Sequence, residues 1–260
     1  MRLVEIGDAA DPRLDDFRNL TDADVRPDRR GIVIAEGVNV VERLARSTYQ
    51  MRAVMGVPDR IDALRPVLKP LDVAVYAVDK WTMSDAVGFR VTRGILASAD
   101  RPPTVASAAL LTRSDRVAVL EGLNDFENLG ALFRNAAAFG VDAVLLDQRC
   151  ADPLYRRSVR VSMGHVFNVP FAVLDEPWPA ALTALRDFTV LAMTPDPSAT
   201  ALREVEVPRR WAVLLGAEGP GLSTEAMAAA GLRVRIPMAA GVDSLNVATA
   251  AAVAFAHLTR

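Results

Sequence analysis

Along most of the chain, short apolar runs alternate with segments whose apolar residues recur every three or four positions. That alternation predicts strands interleaved with helices. In the first hundred residues the strand-length runs are 31–35, 52–57, 73–78 and 94–98. Val38, Val41, Leu44 and Ala45 form one apolar helical face after the first run, and further helices are predicted around 61–69 and 81–87. Upstream, Leu14, Phe17 and Leu20 keep helical spacing in otherwise polar surroundings, which predicts a helix ending near Thr21. Tyr76, Trp81 and Phe89 are assigned to the core.

The second half carries the alternation more strongly. Runs at 116–120 and 143–146 flank a helical stretch at 128–139, and Gly140 follows where a helix C-terminus favours a left-handed residue. Further strands are expected at 171–174, 189–193, 211–215 and 232–236, and a closing Ala-rich helix runs from 243–246 to His257. The expected fold is α/β, with a mostly parallel sheet of five or six strands in this half. Pro102 and Pro103 deny continuation of helix or strand, so the boundary is placed at 99–104. Two domains result, 1–100 and 115–260, joined by 101–114.

Composition narrows the chemistry. The 260 residues carry a formal net charge of −2, with no global excess of Lys and Arg of the kind that phosphate binding concentrates. A single cysteine, Cys150, excludes an intramolecular disulfide; with no signal peptide or apolar run of membrane-spanning length, the expected setting is the cytoplasm, without membrane contact. Cys150, His165 and His257 are too few for zinc sites of the His/Cys type or Cys-His and Ser-His nucleophiles, so no metal is expected. Chemistry must rest on Arg, Glu, Asn, Ser and backbone groups. Gly216 to Gly221 forms a loop after an apolar strand, which suits close approach of a ligand. It lacks the Gly-x-Gly-x-x-Gly order of the dinucleotide fold.

Each candidate residue has two readings when taken singly. Arg134, set among apolar neighbours, serves equally as a surface arginine with a buried stem. Glu218 can cap a turn, and Ser244 and Asn246 suit the start of a helix as well as a site. Arg156, Arg157 and Arg160 form a basic strip that suits either a solvated face or an RNA contact, and so do Arg26, Arg29 and Arg30.

Taken together, three spaced motifs decide between these readings. Asn128-Leu-Gly-Ala-Leu-Phe-Arg134 through Gly140, Leu215-Gly216-Ala217-Glu218-Gly-Pro-Gly221-Leu, and Ile236-Pro-Met238 with Ser244-Leu245-Asn246-Val occur in order. They resemble the signature motifs of the SpoU, or TrmH-like, RNA 2′-O-methyltransferases of the SPOUT class, over 116 to the C-terminus. The stretch 161–170 resembles the family segment between the first two motifs. The first hundred residues resemble, more weakly, an L30e-like substrate-binding domain. The resemblance implies an S-adenosylmethionine-dependent enzyme with a C-terminal trefoil knot, acting on rRNA or tRNA as a homodimer through its C-terminal domain. By the same resemblance Arg134, Asn128, Glu218, Ser244 and Asn246 are catalytic. Leu215, Gly216, Ala217, Ile236, Met238 and Leu245 hold the cofactor. Because guanidinium stays protonated, Arg134 is expected to bind phosphate and stabilise a developing alkoxide rather than act as base. A non-catalytic RNA-binding protein of this fold and a methyltransferase acting on a base nitrogen are the alternatives.

Overall fold

The unbroken apolar runs become strands covered on both faces, as sheets flanked by helices require. The computed structural model describes residues 1–20 and 31–259, which divide into two compact units: Met1–Pro103 with Pro153–Asn168, and Thr104–Asp152 with Val169–Arg260. Arg26, Arg29 and Arg30, and the expected helix end near Thr21, lie outside the described residues.

In the first unit, β1 (Arg2–Glu5) and β2 (Ile32–Glu36) are followed by α1 (Val38–Ala45), β3 (Met51–Gly56), α2 (Pro58–Leu68), β4 (Ala74–Ala77), α3 (Lys80–Val87) and β5 (Ile95–Asp100). The sheet order is β1-β4-β3-β5-β2. β1 and β3 run parallel to β4, whereas β5 is antiparallel to both β3 and β2. The carboxyl ends of β1 to β4 therefore share one sheet edge with the amino end of β5. Sequence patterning missed β1, which has no buried residue and gains its hydrogen bonds only from pairing with β4. The expected helix through Leu14 and Phe17 is a 3₁₀ turn, Pro12–Phe17, and both side chains are buried with Ile34, Met55, Met83 and Leu96. Trp81 is not a core residue: it is 82% exposed in the first turn of α3.

The break between the units falls at Pro103/Thr104, inside the expected 99–104, but the first two residues of that segment are not linker. Ala99 and Asp100 still belong to β5, paired with Val33 and Ile32, because the ladder persists after the apolar run weakens. Within 101–114, α4 (Ser107–Leu111) buries Leu110 and Leu111. The second unit continues with β6 (Arg116–Glu121), α5 (Phe126–Ala138) and β7 (Ala143–Leu146). The chain next supplies α6 (Arg156–Val161) to the first unit. It returns for β8 (Phe171–Val173), β9 (Thr189–Met193), β10 (Thr200–Ala201), β11 (Trp211–Gly216), α7 (Thr224–Ala229), β12 (Leu232–Arg235) and α8 (Val247–Leu258).

This sheet has seven strands in the order β10-β12-β9-β11-β6-β7-β8, all parallel, one more than the expected five or six. The additional strand, β10, has two residues, too few for any periodic signal. Val117, Leu145, Ala212 and Leu214 lie in the core beneath, and α8 packs on α5, where Asn135 Nδ2 donates to the Ala248 carbonyl at 2.8 Å. Among the described residues no helix is long and apolar enough to cross a membrane.

Candidate active site

Parallel strands place their following loops at one edge, where open α/β sheets bind ligands. In the second unit β12, β9 and β11 are neighbours, and the loops after them line a cavity of about 520 Å³. Its walls include Met193 and Thr194 after β9, Leu215 to Glu218 after β11, and Ile236, Met238 and Ser244 to Val247 on the way to α8. Ala250, in the first turn of α8, closes the wall.

The loop after β11 folds tightly upon itself. Gly221 N donates to the Ala217 carbonyl at 3.0 Å, and a Cβ on Gly216 would lie 2.2 Å from the Gly221 carbonyl carbon. No side chain fits there without moving backbone. Gly219 and Gly221 have φ of 89° and 70°, a region that disfavours other residues.

A buried carboxylate fastens the far end of this loop. Glu121, at the end of β6 and 3% exposed, accepts from Ser223 N at 2.8 Å through one oxygen and from Arg149 Nη2 at 3.0 Å through the other. Arg149 Nε also reaches Asp147 at 2.8 Å, and Asp147 accepts from Gly122 N at 2.9 Å. Burial opposes ionisation of Asp147, but hydrogen bonds from Gly122, Cys150 and Arg149 outweigh it and hold the carboxyl below its usual range. Ser223 then caps α7 by accepting from Ala226 N. Sequence reading did not give Glu121 this role; its one visible signal was an acidic residue ending an otherwise apolar strand run.

At the start of α8, Asn246 does two things at once. Its Oδ1 accepts from Ala248 N and Thr249 N at 3.0 and 3.2 Å, capping the helix. Its Nδ2 donates to Asn128 Oδ1 at 2.6 Å and to Glu218 Oε1 at 2.8 Å. Three residues spaced across 118 positions are thereby joined at the cavity. Asn128 comes from the first turn of α5, where Asp125 accepts from Glu127 N and Asn128 N and so fixes the helix start. Ser244, two residues ahead of the cap, lines the cavity without capping α8.

The structure thus gathers Leu215, Gly216, Ala217, Glu218, Ile236, Met238, Ser244, Leu245 and Asn246 around one cavity and links Asn128 to it. Arg134 stands apart. It is exposed on α5, makes no hydrogen bond or ion pair among the described residues, and does not line the cavity. Six residues beyond Asn128, it projects from another face of the helix. Met193, Thr194, Val247 and Ala250 also line the cavity; only their positions at a strand end and a helix start could have indicated them. Among the described residues Glu218 is the one ionisable side chain in the lining, so the cavity suits a neutral or cationic ligand better than an anionic one.

Residues 115–256 match the model of the SpoU rRNA methylase family. The chain belongs to that family. An uncharacterised tRNA/rRNA methyltransferase of Mycobacterium tuberculosis is 47% identical over 98% of this chain and 91% of its own length. A 23S rRNA (guanosine-2′-O-)-methyltransferase, RlmB, of Bordetella pertussis is 35% identical over 52% of this chain and 55% of its own length. The crystal structure of an AdoMet-bound rRNA methyltransferase from Sinorhizobium meliloti shares the fold, with a TM-score of 0.81, covering 98% of this chain and 97% of that one at 22% identity. The SpoU chain described here is therefore a methyltransferase of mixed α/β fold.

Proposed function

We propose that this SpoU chain transfers a methyl group from S-adenosylmethionine to a ribose 2′-hydroxyl of a structured RNA, 23S rRNA first and tRNA next. The observation that carries the reading is the Asn246 amide joining Asn128 and Glu218 beside a ligand-sized cavity. Relatives support it in kind: the Bordetella enzyme is named for guanosine 2′-O transfer, and the Sinorhizobium structure was determined with AdoMet bound.

The residues present fit that cofactor. Leu215, Ile236, Met238 and Leu245 offer apolar surface, the Gly216–Gly221 loop permits close backbone approach, and among the described lining residues Glu218 is the only charge. When bound, S-adenosylmethionine supplies an electrophilic methyl on a cationic sulfur. The chain's own residues then orient a hydroxyl in line and stabilise its loss of a proton. Asn246, held by the α8 backbone on one side and by Asn128 on the other, keeps Glu218 in place, and Ser244 and Glu218 contact the ribose. Arg134 grips the adjoining phosphate in fork geometry and stabilises the alkoxide, remaining charged throughout.

Because Arg134 does not line its own protomer's cavity, the same reading has it act in the site of a second copy. A homodimer through the C-terminal unit accounts for this. Ala131, Arg134 and Ala138 on α5, and Thr249, Val253 and Ala256 on α8, lie at helical spacing and are exposed or half-exposed, small enough for close helix packing apart from the arginine. The segment from Ile236 to α8, which returns from β12 to pack on α5, is the part read as threaded into a trefoil knot.

Mass-spectrometric mapping of nucleosides from ribosomal RNA treated with the protein and S-adenosylmethionine tests the chemistry; a methyl on a base, or none, overturns it. Mixing the inactive variants Arg134→Ala and Asn246→Ala tests the dimer. Mixed dimers carrying one intact site should regain about a quarter to a half of normal activity, and absence of recovery overturns the shared site.

A further inference from the structure

The cofactor loop is poorly equipped to hold its own shape. Residues 218 to 221 are exposed, and Gly216, Gly219 and Gly221 give half of the 216–221 backbone the freedom of glycine. An exposed, glycine-rich segment ordinarily samples many conformations, and a ligand that needs one of them binds more weakly for every alternative populated. Polar ties oppose that loss here: Gly221 N on the Ala217 carbonyl across the neck, Asn246 Nδ2 on Glu218, and Ser223 N on Glu121.

Glu121 differs from the other ties in reaching both ends of the loop. Its backbone stands opposite Gly216 in the parallel register of β6 and β11, and its side chain extends to Ser223, the residue that opens α7. One strand end therefore sets the distance between the point where the chain leaves the sheet and the point where it enters the helix. That strand end is itself fixed, because β6 lies between β11 and β7 and Glu121 is 3% exposed. Glu121 does not line the cavity, so its influence on a bound cofactor has to pass through the loop.

A charged residue at this buried place has a chemical reason. Two donors approach it from different groups, Ser223 N at 2.8 Å and Arg149 Nη2 at 3.0 Å, and a carboxylate offers an oxygen to each. An amide offers one oxygen and would set its own N–H groups against the guanidinium. Hydrogen bonds to an ionised acceptor are also the stronger kind. Arg149 supplies the neutralising charge. Its side chain is 64% exposed and also bound to Asp147, so loss of Glu121 would not leave it a buried, unpaired cation. Removing the carboxylate should loosen the loop and spare the fold.

We propose that Glu121 is a positioning residue for the cofactor: by tying Ser223 to the strand end opposite Gly216, it presets the loop before S-adenosylmethionine arrives, and so governs cofactor affinity rather than the methyl-transfer step. The inference rests on the methyltransferase reading only in taking S-adenosylmethionine as the ligand.

Hydrogen exchange at the Ser223 amide of the cofactor-free full chain, resolved by NMR, tests the clamp alone. Glu121→Ala should speed that exchange by at least about tenfold, while amides of β7 and β9 keep their wild-type rates. In calorimetry the S-adenosylmethionine Kd should rise about thirtyfold in Glu121→Ala and about fivefold in Glu121→Gln, which keeps one acceptor for Ser223 N. Bound cofactor restores the loop, so kcat at saturating cofactor and RNA should stay within about threefold of wild type. Ser107→Ala is the stability control: it removes a 2.8 Å hydrogen bond to Asp175 from a buried site on α4, and should lower Tm without changing the cofactor Kd.

Wild-type exchange at Ser223, or a wild-type Kd, in Glu121→Ala would overturn the proposal. So would a Kd that rises equally in the Ser107 control, the mark of general destabilisation, or a kcat that falls as far as affinity, which would place Glu121 in the chemistry. If Glu121→Ala does not fold, Glu121→Gln carries both measurements, and a Kd within about twofold of wild type then counts against the clamp. A wild-type protein that ignores S-adenosylmethionine defeats the methyltransferase reading and leaves the exchange rates to judge the clamp.

Discussion

The two units build their hollows by one topological rule and fill them with opposite chemistry. In both, loops at the carboxyl ends of parallel strands converge on a glycine with no room or no tolerance for a side chain, Gly216 in one and Gly37 in the other. Among the described residues, the second unit's cavity is lined by one carboxylate and no cation, whereas the first unit's pocket is lined by three arginines without a partner, Arg60, Arg93 and Arg160, and one neutralised glutamate, Glu36. A formal net charge of −2 for the chain conceals this division. Electrostatics that decide which ligand goes where are set within a few ångströms, because charges farther than about 8 Å apart are largely screened at physiological salt. Net charge is thus a poor guide to nucleic-acid binding in a chain with two dissimilar sites.

The comparison is sharpened most by removing the cation that the second cavity does not itself contain. Arg134→Ala should lower kcat by roughly a thousandfold, the scale of a lost transition-state donor, while the S-adenosylmethionine Kd stays within twofold. Arg134→Lys with most of the wild-type rate would show that charge suffices and that fork geometry does not matter. Next in size, Gly216→Ala forces a Cβ into backbone 2.2 Å away, and should weaken cofactor binding by about a hundredfold in calorimetry. RNA affinity should hold. If both affinities fall together, the two hollows are not independent and the comparison breaks.

The smallest effect is expected at Cys150. Burial and the neighbouring Asp147 charge push its thiol up to about 12, so at pH 8 roughly one in ten thousand is ionised. Maleimide labelling of the native chain should be negligible over hours and should become rapid only on unfolding. The sign follows from the raised value: the reactive thiolate appears as pH rises toward 12, not as it falls. Labelling at pH 8 without unfolding would mean that the Gly122, Asp147 and Arg149 network opens readily.

Most strands were legible because both their faces are buried, which leaves an uninterrupted apolar run. β7 and β9 match their expected bounds, β6 and β11 run one residue longer at one end, and β2 is shifted by one residue at both. β1 and β10 were not legible, since an edge strand with exposed side chains and a two-residue strand carry no such pattern. Trp81 misled for a related reason: an aromatic in an amphipathic window reads as core until its neighbours are known. The basic strip at 156–160 also dissolved into different fates, Arg156 paired with buried Glu36 and Arg160 on the pocket.

The sequence by itself determined the alternating α/β pattern, the motif residues, and the family to which they belong, because hydrophobic period and residue type are local properties. Only the tertiary structure decided that Asn128, Glu218 and Asn246 share hydrogen bonds, that Glu121 fastens a loop a hundred residues away, and that residues 153–168 pack with the first unit. It also decided that Arg134 does not line the cavity beside which its motif companions lie. Such contacts depend on strand order and helix rotation, which long-range packing fixes and no short window of residues encodes.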